Sequence, residues 1–181
     1  MKYHNILHDD MRNGIGLRVT LFLSGCENKC EGCQNPQTWD ENSGIYYDID
    51  AHHEIMNALA HPYIHGITIS GGDPLHPANA EIVCGLCMEI KKRYPTKSIW
   101  LYTGYVFENL YISPADWTTC DVDPVRDARS DIMKYIDVLV DGKFVRELAD
   151  VNYHWAGSTN QRVIDVPATL KNGKVVLYEQ E

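Results

Sequence analysis

Three cysteines lie within eight residues of one another, at Cys26, Cys30 and Cys33. Thiolates bind zinc and iron–sulfur clusters, and this C-x3-C-x2-C spacing lets all three reach one inorganic centre without closing a long loop. No fourth cysteine or histidine nearby completes the set. Structural zinc sites and electron-transfer clusters normally have four protein ligands. The sequence therefore predicts a four-iron, four-sulfur cluster with one iron open to a small molecule, with a zinc site or unpaired thiols as the alternatives.

Two later motifs contain residue types that bind charged small molecules. Gly71, Gly72 and Asp73 combine glycines, which allow close approach to the backbone, with a carboxylate that accepts hydrogen bonds from an ammonium group. Asp141 and Lys143 are two positions apart at the end of a predicted strand, which predicts that both side chains lie on one face. Each motif taken alone is also compatible with an ordinary surface turn.

Alternating strand and helix patterns must position these motifs. Strands are predicted where β-branched and aromatic residues run together, and helices where apolar residues recur at helical spacing before a proline. The predicted strands cover residues 17–24, 65–70, 98–103, 136–140 and 161–166, and the predicted helices cover residues 50–61 and 78–94. The motifs follow predicted strands, and in parallel α/β folds ligands bind at the carboxyl ends of the strands. We therefore expect the motifs to meet at one site.

The order of these elements predicts an α/β fold with a parallel sheet. A complete eight-stranded barrel takes about 250 residues. The chain has 181 residues, so we expect an incomplete parallel (β/α) barrel in a single domain over residues 1–181. Its core covers about residues 17–166, after a polar lead-in over residues 1–16 and before a tail over residues 167–181. Residues 113–131 are rich in proline and aspartate and predict a loop-rich excursion.

Composition excludes some classes of function. The chain has 25 acidic and 16 basic residues, and a net charge of −9 repels nucleic acid. Nowhere do about 18 apolar residues run together, as a membrane span requires. We expect a cytoplasmic protein with no nucleic-acid or membrane partner. In that compartment cysteines bind metals or lie buried more often than they form disulfides.

A second C-x2-C motif, Cys84 and Cys87, lies within the predicted helix 78–94. Cys87 follows Val83 by four residues and precedes Ile90 by three, which places it on the apolar face. Buried cysteine behaves as a small hydrophobic residue. We therefore interpret this pair as part of the core, with a redox pair or auxiliary cluster as the alternative. Cys120 has no evident partner in the sequence.

Six stretches of the chain together resemble the radical S-adenosylmethionine (SAM) enzymes and, more narrowly, the activating proteins of the anaerobic ribonucleoside-triphosphate reductases. The stretches around the cysteines, the glycine turn and the later strand ends occur in the family's order over about residues 1–166. They are residues 20–26 (TLFLSGC), 35–39 (NPQTW), 70–77 (SGGDPLHP), 100–105 (WLYTGY), 138–144 (VLVDGKF) and 157–161 (GSTNQ).

The resemblance implies a barrel of the radical SAM type and a specific chemistry. SAM would chelate the free iron, and one electron from the cluster would cleave it to methionine and a 5′-deoxyadenosyl radical. That radical would remove a hydrogen atom from a glycine of the large glycyl-radical subunit of the anaerobic ribonucleotide reductase. The expected electron donor is a low-potential carrier such as flavodoxin. No side-chain acid or base is required, so we predict no catalytic residue in the ordinary sense.

The resemblance also assigns candidate cofactor contacts. The Gly71, Gly72 and Asp73 turn would hold the methionine end of SAM. Asp141 and Lys143 would lie near its carboxylate or a bound cation. Many relatives have an aromatic residue beside the third cysteine to cover the adenine, whereas this chain has Gly32 and Gln34 flanking Cys33. We therefore expect the adenine contact from the backbone there or from Gln34.

Three other functions fit parts of this pattern. The chain could activate another glycyl radical enzyme, such as pyruvate formate-lyase, by the same chemistry. It could be a non-enzymatic iron–sulfur or zinc module, which would not bind SAM. It could also be a radical SAM enzyme that modifies a small molecule, which would require a pocket for that substrate.

Overall fold

The computed structural model of the protein describes residues 1–112 and 123–179, and these residues contain a mixed sheet of seven strands. In chain order the strands are β1 (Lys2–Asp10), β2 (Arg18–Leu23), β3 (Ile45–Tyr46), β4 (Gly66–Gly71), β5 (Ser98–Tyr102), β6 (Val138–Asp141) and β7 (Arg162–Asp165). Across the sheet the order is β3-β1-β2-β4-β5-β6-β7. β2, β4, β5 and β6 run parallel to one another. The β1–β2, β1–β3 and β6–β7 pairs are antiparallel.

The prediction of an α/β incomplete parallel (β/α) barrel of the radical SAM type was wrong, because the sheet is mixed. Residues 11–17, which join β1 to β2, are too few for the crossover that parallel strands need. Residues 142–161, which join β6 to β7, contain a single 3-10 turn and no α-helix, so β7 returns antiparallel to β6. Apolar patterning indicates that a strand is buried, but it does not show the direction in which the strand runs. The last predicted strand was therefore expected to run parallel, whereas β7 is antiparallel to β6.

Four helices accompany the sheet in the part of the chain that is described. They are α1 (Ile49–Leu59), α2 (Ala80–Arg93), α3 (Pro124–Asp131) and α4 (Val166–Asn172). An aspartate precedes α1, α3 and α4, and the carboxylates of Asp48, Asp123 and Asp165 accept backbone N–H groups of the first helical turn. The predicted helices 50–61 and 78–94 are confirmed as α1 and α2. Of the loop-rich excursion 113–131, residues 124–131 form α3, and residues 113–122 lie outside the described residues.

The hydrophobic core lies on one face of the sheet. Alternate residues of the parallel strands, such as Leu21, Ile69 and Leu101, are fully buried there against the helices. Cys87 of α2 is part of this cluster, and burial raises the pKa of its thiol. Cys84 is partly buried and packs against the cluster, and its thiol pKa is raised to about 11, chiefly by burial. The interpretation of this pair as core residues is confirmed, whereas Cys120 lies among the residues that are not described.

The opposite face of the sheet carries a buried arginine at the amino ends of the strands. Arg18 is fully buried, and its guanidinium donates hydrogen bonds to Thr68 Oγ1, Ser98 Oγ and the carbonyl oxygens of Ile15, Ile67 and Ser98 at 2.7 to 3.0 Å. Its Cζ lies 5.5 Å from the centre of the Trp100 ring. At the carboxyl end of this face, Phe22, Ser70 and Tyr102 are only partly buried.

Both terminal segments contribute more structure than the sequence predicted. The polar lead-in contains β1, whose Tyr3 and Ile6 are buried in the core, whereas Asn5, His8 and Asp9 are exposed and Asp10 is buried at the end of the strand. β1 has irregular pairing between Leu7 and Asp10, where Asp9 adopts a φ of 57°. In the tail, α4 follows β7 directly, and Val176 and Tyr178 then exchange backbone hydrogen bonds with Asp165 and Val163. Leu177 forms an isolated antiparallel bridge with Ile164 of β7.

Candidate functional site

The cysteine loop begins where β2 ends. Gly25 turns the chain with a φ of 95°, and the amides of Gly25 and Cys26 donate to the carbonyls of Thr38 and Trp39 at 2.8 and 3.0 Å. Lys29 and Gly32 also lie in the left-handed region, with φ of 44° and 75°. These turns fold residues 26–33 compactly, and Cys26, Cys30 and Cys33 are all partly exposed.

Backbone amides point at two of the three sulfur atoms. The Asn35 amide donates to Cys33 Sγ at 3.3 Å. Burial raises the pKa of the Cys26 thiol, while backbone N–H groups of Asn28 and Lys29 act in the opposite direction. Such N–H groups stabilise thiolates and tune iron–sulfur clusters. The loop therefore suits thiolate ligands.

The three thiols do not form a ready-made site for a single ion. Within residues 1–112 and 123–179, no three His, Cys, Asp or Glu side chains are grouped so that they could hold one metal ion. A cubane cluster takes one thiolate for each iron atom, so its ligands surround a larger centre and do not converge on a point. The cysteine loop thus provides ligand types that fit a cluster with three thiolate ligands.

The glycine turn after β4 packs directly on the cysteine loop. The amide of Gly72 donates to the Leu23 carbonyl at 2.7 Å, and the amide of Asp73 donates to the Gly25 carbonyl at 2.7 Å. A Cβ atom at Gly72 would lie 2.5 Å from the Gly25 carbonyl oxygen, and one at Gly71 would lie 2.6 Å from the Leu23 nitrogen. The two glycines are therefore required for contact between the two loops, a role that the sequence did not suggest.

The Asp73 carboxylate joins three segments of the site. Only 2% of Asp73 is exposed. Its Oδ1 accepts hydrogen bonds from the Leu75 amide at 2.9 Å and Thr103 Oγ1 at 2.8 Å. Its Oδ2 accepts from the Gly104 amide at 2.9 Å and Asn28 Nδ2 at 3.2 Å. Burial raises the pKa of Asp73 despite these donors. The side chain therefore holds the cysteine loop, the glycine turn and the exit of β5 together.

The exit of β5 also contacts the cysteine loop. Gly104 lies so close to Asn28 that a Cβ atom there would overlap the Asn28 amide group. The next residue, Tyr105, donates its hydroxyl to Glu27 Oε2 at 3.1 Å and accepts a hydrogen bond from Arg129 Nη2 at 2.8 Å. Burial raises the pKa of the Tyr105 hydroxyl to about 12. The segment between Cys26 and Cys30 is thus bound by Asp73 through Asn28 and by Tyr105 through Glu27.

Asp141, at the end of β6, is buried in an ion pair. Its carboxylate accepts hydrogen bonds from Arg162 Nε at 3.0 Å and the Phe107 amide at 2.8 Å. Arg162 also binds Glu108 through both terminal nitrogens, at 2.9 and 2.7 Å. These contacts raise the pKa of Arg162, with the Glu108 bond as the largest cause. Sequence reasoning missed the pair of Arg162 and Glu108, because the two residues are 54 positions apart and no local pattern links them.

Lys143 does not share a face with Asp141. β6 ends at Asp141, and Gly142 follows with a φ of 92°, so strand alternation does not continue. Asp141 is buried, whereas Lys143 is exposed, and its ammonium group makes no hydrogen bond or ion pair with any described residue. The prediction that the two side chains lie on one face was wrong.

The loop after β6 contacts the cysteine loop at Gly32. A Cβ atom at Gly32 would lie 3.5 Å from the Phe144 ring and 3.4 Å from the Arg146 side chain. Arg146 also pairs with Glu31 at 3.0 Å, between two exposed side chains. Gln34 is exposed on the other side of Cys33. The structure thus brings the cysteine loop and the ends of β4, β5 and β6 to one edge of the sheet, as predicted.

No helix in the described parts of the chain combines the length and the apolar character needed to cross a membrane.

Comparisons with known proteins give the site its context. Residues 12–164 match the family described as a 4Fe-4S single cluster domain. Similar proteins include three that are each called an anaerobic ribonucleoside-triphosphate reductase-activating protein. That of Enterobacteria phage T4 is 39% identical, over 90% of this chain and 93% of the phage protein. That of Vibrio cholerae is 42% identical, over 89% of this chain and 96% of its own length. That of Escherichia coli is 40% identical, over 90% of this chain and 97% of its own length. This chain therefore belongs to the family of the anaerobic ribonucleoside-triphosphate reductase-activating proteins and contains the 4Fe-4S single cluster domain.

Proposed function

We propose that this protein is a radical SAM enzyme that activates an anaerobic ribonucleoside-triphosphate reductase by generating a glycyl radical on its large subunit. The observation that carries the proposal is the cysteine loop, which offers three thiols and no fourth ligand beside the glycine turn. Membership of the activating-protein family supports the choice of substrate.

Cys26, Cys30 and Cys33 would hold a 4Fe-4S cluster and leave one iron without a protein ligand. When bound, the cluster and SAM supply a one-electron reductive cleavage that produces a hydrogen-abstracting radical. The Asn35 amide donates a hydrogen bond to Cys33 Sγ, and hydrogen bonds of this kind to the sulfur ligands tune an iron–sulfur cluster. The protein's own task is to orient the reactants and exclude water, since the radical itself takes the hydrogen atom.

The remaining site residues divide into two groups by their surroundings. Gln34, beside Gly32, is exposed and the Lys143 ammonium makes no ion pair with a described residue, so these two side chains are free to bind SAM, with Lys143 on its carboxylate. Gly71 and Gly72 would shape the backbone at the methionine end of SAM, while the Gly72 amide already donates to the Leu23 carbonyl. Asp73 and Asp141 are buried, and their oxygens already accept hydrogen bonds from protein donors. We therefore assign these two carboxylates to holding the loops around SAM, next to the groups that contact it.

The substrate glycine must approach the site from outside the chain. Phe22, Ser70 and Tyr102 are only partly buried at the carboxyl end of the sheet face that lacks the core helices. A loop of the large subunit would enter there, next to the glycine turn. Its position relative to SAM decides whether the reaction occurs, since hydrogen transfer requires contact between the reacting atoms.

Charged side chains of both signs surround the cysteine loop. Lys29, Lys143 and Arg146 are exposed in or beside it, as are Glu27 and Glu31, and Arg146 pairs with Glu31. Lys29 and Lys143 make no ion pair with a described residue, so an acidic, low-potential electron carrier such as flavodoxin would be attracted to these two lysines. We expect that reduction of the cluster by such a carrier slows as salt concentration rises, because salt screens the attraction.

The test compares three proteins reconstituted anaerobically with iron and sulfide: the parent, Cys30→Ala, and Cys84→Ala as a matched control on α2. Each is reduced, mixed with SAM and the large reductase subunit, and assayed for 5′-deoxyadenosine and for a glycyl radical signal by EPR. We expect both products from the parent and from Cys84→Ala, and neither from Cys30→Ala.

Three outcomes would contradict the proposal. Uptake of zinc in place of a cluster, or a cluster that leaves SAM intact, would show a non-enzymatic metal module. In a parallel sample with pyruvate formate-lyase in place of the reductase subunit, cleavage of SAM with a radical on that enzyme and none on the reductase would show an activase with a different substrate.

A further inference from the structure

Arg129 connects α3 to two of the loops that form the site. Its Nε donates to the Leu75 carbonyl, just after the glycine turn, at 2.7 Å. Its Nη2 donates to the Tyr105 hydroxyl at 2.8 Å, and its Cζ lies 4.2 Å from the centre of the Tyr105 ring. One guanidinium therefore binds both a backbone carbonyl and a tyrosine, as its planar set of donors allows.

Tyr105 links Arg129 to the cysteine loop through its hydroxyl group. Its hydroxyl accepts from Arg129 and donates to Glu27, which follows Cys26 directly in the chain. An arginine that donates to a hydroxyl makes that hydroxyl a better donor to a carboxylate. Arg129, Tyr105 and Glu27 thus form a continuous chain of hydrogen bonds from α3 to the residue that follows the first cysteine, which we name the Arg129 relay.

We propose that Arg129 is a positioning residue, which holds the segment between Cys26 and Cys30 in its ligand-binding conformation through Tyr105. The proposal rests on the proposed function only in taking residues 26–33 as the cluster loop. Glu27 and Lys29 are exposed, and Lys29 has a left-handed backbone, so this segment gains little stability from burial. Hydrogen bonds to its side chains must therefore supply the restraint.

The alternative is that Arg129 only attaches α3 to the rest of the protein. The two roles predict changes in different places. Loss of an attachment would loosen α3 and leave the cysteine loop as it was. Loss of the relay would loosen residues 26–33 themselves, and Tyr105→Phe would reproduce the effect with Arg129 still present.

The experiment uses the full-length apo protein under reducing, anaerobic conditions. Hydrogen exchange of residues 26–33 and the alkylation rates of Cys26, Cys30 and Cys33 are measured for the parent, Arg129→Gln, Tyr105→Phe and the double variant. Arg93→Gln is the matched control, because Arg93 also lies over a tyrosine ring, that of Tyr94, at the far end of α2. We expect exchange and alkylation about fivefold faster in both relay variants, the factor typical of one lost hydrogen bond.

The double variant separates a relay from two independent contacts. We expect it to match the single variants, since removing either member already breaks the chain. A product of the two single effects would overturn the proposal, as would faster exchange confined to α3. Tyr105→Phe keeps the test valid even where Arg129→Gln fails to fold, because it removes one oxygen atom only.

After reconstitution, the reduction potential of the cluster gives a second reading. It should shift in Arg129→Gln and Tyr105→Phe and stay unchanged in Arg93→Gln, because hydrogen bonding and geometry at the ligands set the potential. An unchanged potential in the relay variants would contradict the proposal. If the parent forms no cluster, the proposed function fails, while the apo measurements still decide the relay.

Discussion

Among single residues, Asp73 connects three segments of the site through its carboxylate. Its two oxygens accept four hydrogen bonds, and three of the donors belong to segments other than its own turn. A carboxylate can accept at both oxygens, whereas an amide of the same shape offers only one acceptor. The hydrogen bonding at this position therefore requires a carboxylate with two acceptor oxygens, and a side chain of the same size with one acceptor does not replace it.

Replacing Asp73 with Asn tests this dependence. Whichever way the new amide is turned, its NH2 group faces the amide of Leu75 or of Gly104, and at least one buried donor loses its acceptor. We expect the free energy of unfolding of the apo protein to fall by about 1–3 kcal/mol, measured by denaturant titration. Asp40→Asn is the control, because exposed Asp40 accepts a bond from Asn42. Equal stabilities of the two variants would refute this role.

The connections between motifs could not be predicted at the residue scale. Cysteine spacing predicted three candidate cluster ligands, because three thiols in one loop are a local pattern. Tyr105 and Glu27 are 78 residues apart, and Arg162 and Asp141 are 21 apart, in segments with no shared periodicity. Such pairs are determined by how strands are placed beside each other, which a single sequence does not show.

Among the elements, the positions of the four parallel strands and of β7 were predicted, whereas the strands β1 and β3 and the antiparallel direction of β7 were not. β2, β4 and β5 are buried on both faces or nearly so, and their segments, rich in β-branched and aromatic residues and poor in charge, therefore stand out. β1 has an alternating and largely polar sequence, so it resembled a surface lead-in. The direction of β7 depends on the loop before it, whose conformation has no local sequence signal.

The close packing of the glycine turn against the cysteine loop yields a second prediction. We expect Gly72→Ala to destabilise the protein by about 1–3 kcal/mol, because its Cβ would overlap the Gly25 carbonyl oxygen. The iron content after reconstitution should fall with it. Gly85→Ala is the matched control, since Gly85 lies within α2 and a Cβ there meets nothing within 4 Å. That variant should be more stable by about 0.5–1 kcal/mol. A loss of iron in both variants would show that the loop contact is not the cause.

The β1–β2 connection yields a prediction about pH. Asp10 accepts hydrogen bonds from the Arg12 amide at 2.9 Å, Thr20 Oγ1 at 2.7 Å and the Asn13 side chain. Burial alone would raise the pKa of Asp10, but these donors outweigh it and lower the pKa. An unfolded Asp has a pKa of about 3.9. The stabilisation is therefore complete above that pH and is lost as pH falls through the lower pKa of the folded state.

Comparison of the parent with Asp10→Asn isolates this effect. The parent should be more stable near neutral pH, and the difference in the free energy of unfolding should shrink below about pH 4 as Asp10 takes up a proton. Urea titrations of the apo proteins at several pH values measure it. A difference that stays constant or widens toward low pH would be inconsistent with a lowered pKa.

In the whole molecule, Arg18 ties the amino ends of the strands together. Its five N–H groups bind atoms of the β1–β2 connection, β4 and β5, and no carboxylate lies among its partners. Burial lowers the pKa of Arg18 to about 10, so the guanidinium stays charged at neutral pH. Arg18 thus connects the strands at their amino ends, and Asp73 connects the loops at their carboxyl ends.

Substitution of Arg18 tests how much its hydrogen bonds at the amino ends of the strands stabilise the protein. Arg18→Met fills similar space but leaves buried carbonyl oxygens without donors, and we expect a loss of about 2–4 kcal/mol in the free energy of unfolding. Arg18→Lys should recover only part of it, because an ammonium group has fewer donors and no planar fork. Denaturant titration provides the measurement. A Met variant as stable as the parent would mean that the network contributes little.

The irregular strand β1 also determines how the protein behaves at high concentration. β3 covers only Lys2 and Tyr3 of β1, so the outer edge from Asn5 onward faces solvent. An open edge recruits strands of neighbouring molecules and starts aggregation. The left-handed Asp9 distorts the hydrogen-bonding pattern at that edge, and the adjacent His8 and Asp9 side chains place polar groups along it. The irregular backbone at Asp9 and the polar side chains beside it therefore make this edge a poor template for another strand.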